Sequence, residues 1–104
     1  MKIEMLSEAA IELDEAVEYY ALIRPRLSRE LLGRFRDCVR NIELNAENHP
    51  RLETLATDLN IRRSILKRYP YMIVFEILAN EIRILAFAHT ASQPNYWMER
   101  RRDS

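Results

Sequence analysis

Apolar residues along this chain change their period once. Up to about residue 48 they recur every three or four positions, as on a helix face; from residue 61 they come in short, partly alternating runs, as in strands. Residues 2–6 read as a first short strand, with Ile3 and Met5 on one face and Lys2 and Glu4 on the other. Ser7 is placed to cap a helix, its hydroxyl accepting from free backbone N–H groups. That helix is expected from Glu8 to about Ile23, with Ala10, Leu13, Val17 and Tyr20 as its buried stripe. Arg24-Pro25 breaks it, and Pro25 is suited to open the next helix. The second helix is expected from about Arg26 to Asn48, burying Leu27, Leu31, Phe35, Cys38/Val39, Ile42 and Ala46. Gly33, inside it, is a candidate for close approach to the first helix. Two amphipathic helices joined by so short a turn imply an antiparallel αα-hairpin.

His49-Pro50 ends the second helix, and residues 51–60 read as a loop tethered by Leu52, Leu55 and Leu59. Three strands come next, at 61–67, 71–77 and 82–88, the last running out on His89. In the second of these Ile73, Phe75 and Ile77 share one face, with Met72, Val74 and Glu76 opposite. In the last strand strict alternation puts Ile82, Ile84, Ala86 and Ala88 on one face and Arg83, Leu85, Phe87 and His89 on the other. Residues 78–81 make the hairpin turn between them. The expected architecture is α+β in a single domain, residues 1–104. An N-terminal strand joins the edge of a three-stranded antiparallel meander, the αα-hairpin packs on one face, and a short C-terminal helix or tail completes the chain. The opposite face is either concave or filled by something else.

Charge adds an asymmetry to this picture. The net charge is zero, but residues 1–59 carry 8 Lys and Arg against 12 Asp and Glu, and residues 60–104 carry 8 against 4. The acidic half is helical and the basic half is sheet and tail, so an anionic partner is expected at the C-terminal half. Glu8, Glu12, Asp14, Glu15 and Glu18 make the first helix acidic, with no basic residue until Arg24. The single cysteine, Cys38, forbids an internal disulfide and suits core packing in a reducing compartment. No apolar run is long enough to cross a membrane, and the N-terminus lacks the apolar core of a signal peptide. A soluble, cytoplasmic protein without membrane contact is the expectation.

Candidate chemistry gathers after residue 60. Arg62, Arg63, Lys67 and Arg68 flank the first meander strand, with Arg63, Ile65 and Lys67 on one side and Arg62, Ser64 and Leu66 on the other. Such a ladder either binds phosphates or protects an edge strand from aggregation. His89, at a strand end, either exchanges protons beside a phosphate or is a hydrogen-bonded structural group. Tyr96 and Trp97 either stack on a nucleobase, with Arg100, Arg101 and Arg102 near its backbone, or latch the sheet closed. His49 belongs to the helix stop. No metal-ligand spacing and no glycine-rich phosphate loop is present, and no cofactor is expected.

Taken together, Tyr69-Pro70-Tyr71-Met72-Ile73-Val74-Phe75-Glu76-Ile77, Asn80-Glu81-Ile82-Arg83-Ile84-Leu85-Ala86-Phe87-Ala88-His89 and Pro94-Asn95-Tyr96-Trp97 resemble the RelE/ParE superfamily of bacterial toxins. The opening helix, Ser7-Glu8-Ala9-Ala10 through Leu13 to Ala16-Val17-Glu18-Tyr19-Tyr20, resembles that family's first helix, so the likeness spans essentially the whole chain. The resemblance implies a type II toxin neutralised by a small cognate antitoxin in a hetero-oligomer. It also implies one of two targets: DNA gyrase for ParE-like members, ribosome-bound mRNA for RelE-like ones. RelE-like members commonly carry an arginine where this chain has Met72 and a basic residue where it has Ala91 and Ser92; the departures favour the ParE-like branch. On the ribonuclease alternative, His89, Arg63, Lys67, Arg83 and Tyr96 are the implied catalytic set; a third alternative is a non-toxic binding module on the same scaffold. Target contact is expected from Arg62, Arg68, Trp97, Arg100 and Arg101. Antitoxin contact is expected on the outer side of the hairpin and the neighbouring sheet edge, through Leu13, Val17, Tyr20, Arg62 and Ile65.

Overall fold

The structure, a computed structural model, describes residues 1–52 and 58–101. Leu55 and Arg102 lie outside the described residues. The element order is β1 (Lys2–Met5), α1 (Ser7–Ile23), α2 (Pro25–Asn45), a 3-10 turn (Ala46–Asn48), β2 (Ile61–Ile65), β3 (Tyr71–Ile77), β4 (Glu81–His89) and a final 3-10 turn (Tyr96–Arg100). The fold is therefore the α+β arrangement expected.

The sheet order is β1-β4-β3-β2. β2, β3 and β4 form the antiparallel meander, and β1 adds to the edge of β4 in parallel. Parallel pairing of β1 demands a long return connection, which the helical hairpin supplies. The hairpin covers one sheet face. Ala9 and Ala16 of α1 and Leu31 and Ile42 of α2 pack with Ile73, Phe75, Ile82, Ile84 and Phe87 in one buried cluster.

Several local expectations are corrected. Leu6, not Ser7, occupies the N-cap position of α1, with no side-chain capping hydrogen bond; Ser7 is the first helical residue and its hydroxyl donates to Glu8 at 3.5 Å. On α1 the fully buried positions are the small Ala9 and Ala16, with Leu13, Val17 and Tyr20 half-buried around them. Small residues face the sheet because α1 lies close to β4. Gly33 meets nothing within 4 Å of where a Cβ would sit, so no close approach needs it. β2 stops at Ile65, two residues short of Lys67, because a tight turn begins there: Arg68 adopts a left-handed φ of 71° and Tyr71 N–H reaches back to the Tyr69 carbonyl at 2.8 Å.

The largest correction is in β4. Its register with β3 slips between Ala86 and Ile84, opposite Val74 and Phe75, which is a β-bulge. The extra residue breaks strict alternation. Ile82, Ile84 and Phe87 face the hairpin, whereas Leu85, Ala86 and Ala88 face the other way. His89 and Arg83 therefore do not share a face, contrary to the alternation rule.

The second sheet face is filled. Trp97, 2% exposed, buries itself among Ile61, Val74, Leu85, Ala86 and Ala88, with Leu52, Leu59, Met72 and Met98 around it. The segment 95–101 thus acts as a latch over a second core rather than leaving a concave β-surface. Left-handed Asn95, at φ 63°, turns the chain into this position.

Candidate functional site

The polar groups of the latch are bound into the domain. Glu12, on α1, accepts four hydrogen bonds: from the Phe87 backbone N–H at 3.0 Å, the Tyr96 hydroxyl at 2.6 Å, and Arg100 through Nη1 at 3.0 Å and Nη2 at 2.8 Å. Arg100 Nη1 also donates to the Leu85 carbonyl at 3.0 Å, and its guanidinium sits 5.0 Å from the Tyr96 ring centre. The reason lies in strand length. β1 pairs with β4 only as far as Ile84, so the Leu85 carbonyl and Phe87 N–H beyond it are met by side chains instead. Burial by itself pushes the Glu12 carboxyl up, but hydrogen bonds from Arg100, Tyr96 and Phe87 outweigh it and hold the carboxyl below its usual range. Burial and the Glu12 carboxylate together push the Tyr96 hydroxyl far up, so it stays protonated and donates.

Arg101 makes the second anchor. Its Nε and Nη2 bind the Glu76 carboxylate at 2.8 and 2.9 Å, and Glu76 is 5% exposed. A buried carboxylate in β3 needs such a bidentate partner. Arg62 is also occupied. Its Nε donates to Asn60 Oδ1 at 2.9 Å and its Nη1 to the Glu47 and His49 carbonyls at 2.9 and 2.7 Å. It ties the start of β2 to the end of α2, where His49 also bonds the Asn45 carbonyl at 3.0 Å and completes the helix stop.

The residues expected to form one catalytic surface do not meet. Arg63 sits opposite Val74, on the latch face of the edge strand. Arg83 lies near the β3–β4 turn, held by Glu81 through Nε and Nη2, each at 3.0 Å. His89 is six residues further along β4, about 20 Å away at strand rise. Lys67 shares the His89 end of the sheet but lines a separate cavity of about 250 Å³ with Arg34, Asp37 and Cys38 of α2. Burial pushes the Cys38 thiol up, which suits packing and not nucleophilic chemistry. Tyr96 is held by Glu12. Of the expected target-binding residues, Trp97, Arg62, Arg100 and Arg101 serve the fold. Arg68 alone of that set is exposed, its nearest carboxylate being Glu30 at 3.9 Å.

His89 keeps an accessible imidazole. Its Nδ1 accepts the Ala91 backbone N–H at 3.0 Å, and its ring meets Tyr71 edge-on at 5.3 Å between centres. It opens on a cleft of about 590 Å³ between α1 and the end of β4, lined by Glu12, Glu15, Tyr19, Tyr71, Phe87 and Tyr96 among others. Tyr71 stacks on Phe87 at 4.8 Å, fixing the cleft floor. Two carboxylates, aromatic rings, the His89 imidazole and the polar Ser92 and Gln93 line this cleft, and Arg100 engages one of those carboxylates, Glu12. With Glu12 compensated by Arg100, Glu15 is the remaining carboxylate of this lining, which it shares with the His89 imidazole.

Around the cleft, α1 is apolar on its outside as well as its inside. Ile11, Tyr19, Leu22 and Ile23 are 55%, 59%, 85% and 56% exposed. Leu13, Val17 and Tyr20, expected to contact an antitoxin, are half-buried and pack inward on the core. The three-residue spacing picked out the inner stripe because both sides of α1 carry one. On the sheet edge Ile65, also expected to contact an antitoxin, is 56% exposed. No helix of the described residues is long and apolar enough to cross a membrane. Among them, no group of three His, Cys, Asp or Glu is placed to hold a metal ion.

No family model matches this sequence, and no curated protein matches it. The fold does match: a solved chain of the chromosomal ParDE TA system from P. aeruginosa superposes with a TM-score of 0.72 at 20% identity, covering 86% of this chain and 95% of that one. The likeness is one of fold, and it agrees with the order of elements implied by the RelE/ParE resemblance.

Proposed function

We propose that this chain is the toxin of a type II toxin–antitoxin module, ParE-like in acting by protein contact, with DNA gyrase as its target and a cognate antitoxin as its neutraliser. The fold match to a chain of the ParDE TA system supports the class. One observation carries the choice of mechanism. Arg63, Lys67, Arg83 and His89 are dispersed over both faces and both ends of the sheet, so among the described residues no set of cations surrounds the imidazole to stabilise charge on a cleaved phosphate. A contact inhibitor needs no such set; it needs exposed apolar and charged surface, which α1 and the β2 edge present. On this reading the antitoxin buries the outer hairpin face and the edge around Ile65, folding as it binds.

The test is induced expression in a host without the antitoxin, scored for both DNA breaks and RNA fragments, with a supercoiling assay on purified protein. Growth arrest with gyrase-dependent breaks is expected. Unchanged supercoiling at saturating protein removes gyrase as target. The exposed His89 favours one second reading, a ribosome-dependent endoribonuclease of the RelE-like kind. Truncated mRNA that disappears in His89→Ala establishes it; expression without growth arrest leaves a non-toxic binding module.

A further inference from the structure

We infer that the cavity of about 250 Å³ between α2 and the free edge of β2 is a binding site for the phosphoryl group of a small molecule. The inference stands apart from the proposed function. It concerns the α2 side of this edge, not the latch face on which Arg63 sits, and it needs neither gyrase nor an antitoxin.

The backbone supplies the first donor. β2 is the outermost strand on its side of the sheet, and its ladder with β3 runs through even-numbered residues. Leu66 N–H donates to the Tyr71 carbonyl at 3.0 Å and Ile77 N–H to the Asn60 carbonyl at 2.9 Å, with Ser64 opposite Ile73 between them. Odd-numbered residues therefore direct their backbone groups off the edge. At Ile61 and Arg63 the chain itself meets them, through Leu52 N–H at 3.1 Å and the Pro50 carbonyl at 3.2 Å. At Ile65 the carbonyl takes the Cys38 thiol at 3.9 Å, which sets α2 over this end of the edge. The Ile65 N–H leaves the strand on the same side, as a donor at the cavity wall.

Side chains supply the rest. Ser64, 8% exposed, lies on the cavity floor, Arg34 and Asn41 come from α2, and Lys67 from the turn after β2. Lys67 forms no ion pair among the described residues. Arg34 is poorly satisfied where it lies. Its Nε is buried without an acceptor among the described residues, and its Nη2 reaches Glu30 only at 3.5 Å. Glu30 has a much shorter bond from the Tyr69 hydroxyl, at 2.7 Å, so Arg34 can turn to an anion in the cavity at the cost of one long contact. Asp37 is the one carboxylate of the lining, and it pairs with neither cation. Burial pushes the Cys38 thiol up, so it adds no second negative charge.

The placement of the donors selects the ligand. They come from a helix, a strand edge and a turn, and not from one plane. A carboxylate offers two coplanar oxygens, whereas a phosphoryl group offers three that point in different directions, each a strong acceptor. A polynucleotide finds no row of cations here: Arg63 is on the other sheet face, Arg62 is taken up by Asn60, Glu47 and His49, and Arg68 turns to Glu30.

The experiment is an NMR titration of the ¹⁵N-labelled full-length chain at constant pH and ionic strength. Inorganic phosphate, acetate and a short single-stranded oligonucleotide are the probes, and Lys67→Ala and Asp37→Asn the variants. Both positions are exposed, so both variants should keep the wild-type fold, which the same spectra check. Expected with phosphate are saturable shifts of the Ser64, Ile65 and Lys67 backbone amides and of the Arg34 Nε–H, with acetate far weaker. Lys67→Ala should weaken phosphate binding by about tenfold, the worth of one hydrogen bond from a charged group. Asp37→Asn should tighten it by about threefold, because a like charge leaves the cavity wall. Equal affinity in wild type and both variants overturns the inference, as do non-saturating shifts spread over the surface arginines. Acetate binding as well as phosphate overturns the choice of a phosphoryl group. An oligonucleotide that binds these residues more tightly than phosphate overturns the small-molecule ligand in favour of a nucleic acid contact.

Discussion

The C-terminal turn and the outer face of α1 are opposite cases. The turn is where sequence places aromatic rings and cations, yet Trp97, Arg100 and Arg101 are all held in the domain's interior contacts. The face of α1 reads as ordinary acidic helix, yet it leaves Ile11, Tyr19 and Leu22 open to solvent. A reactive-looking side chain whose hydrogen bonds are already satisfied stabilises the fold. A group left without a partner at a cost in exposed apolar area is the better pointer to an interaction.

The contrast between the two regions breaks first at Trp97. If the turn is a structural latch, Trp97→Ala should remove about 3–5 kcal/mol of stability, the range for truncating a buried large aromatic. Chemical denaturation measures it. A loss below about 0.5 kcal/mol, within the range of surface changes, means the latch does not hold the second core and its residues are available for a partner after all.

Glu12→Gln comes next. It keeps the shape but removes the charge that binds Arg100, and the two side chains retain only 20% and 17% exposure. Breaking a fully buried pair costs ~3–5 kcal/mol; with this residual exposure about 2 kcal/mol is expected. The pH dependence sharpens it. Because the folded carboxyl lies below its unfolded value, its contribution is complete above the unfolded carboxylate range. It is lost as pH falls through the lower, folded value. Wild-type stability should therefore fall in that acid window, and the corresponding part of the slope should be missing in Glu12→Gln.

Why one half of this is legible in the sequence and the other is not has a physical cause. The helices and the strands of the meander follow from local periodicity and from Pro25 and Pro50, all of which act within a few residues. The Glu12 cluster joins residues 84 and 88 positions apart, and no spacing rule reaches that far. The β4 bulge is hidden by its own composition: Ile84-Leu85-Ala86-Phe87-Ala88 is apolar throughout, so a slip in parity leaves no polar residue out of place. That run is also the signal that alternation should not be trusted there. Likewise α1 has apolar residues on both sides, and a period alone cannot say which stripe faces in.

Gly33→Ala probes the helical hairpin in the opposite direction. With nothing within 4 Å of the new Cβ and an α-helical backbone at the site, the substitution should stabilise by about 0.5–1 kcal/mol. A destabilised variant would show that α1 and α2 pack more tightly at this point than the structure has them.

The smallest effects on stability are expected at Arg63 and Lys67, and for that reason they separate fold from function most cleanly. Lys67 is exposed in the turn after β2 and Arg63 half-exposed on the edge, and neither forms an ion pair among the described residues. Arg63→Ala and Lys67→Ala should each change stability by less than about 0.5 kcal/mol, as surface substitutions do. Any loss of growth arrest in them is then a loss of target contact. In Arg101→Ala, by contrast, arrest and stability should fall together, because Glu76 is left buried without its partner. If Arg63→Ala and Lys67→Ala keep full arrest, the cations of the sheet edge guard against edge-to-edge pairing and the harmful contact lies elsewhere, with the α1 face the first place to look.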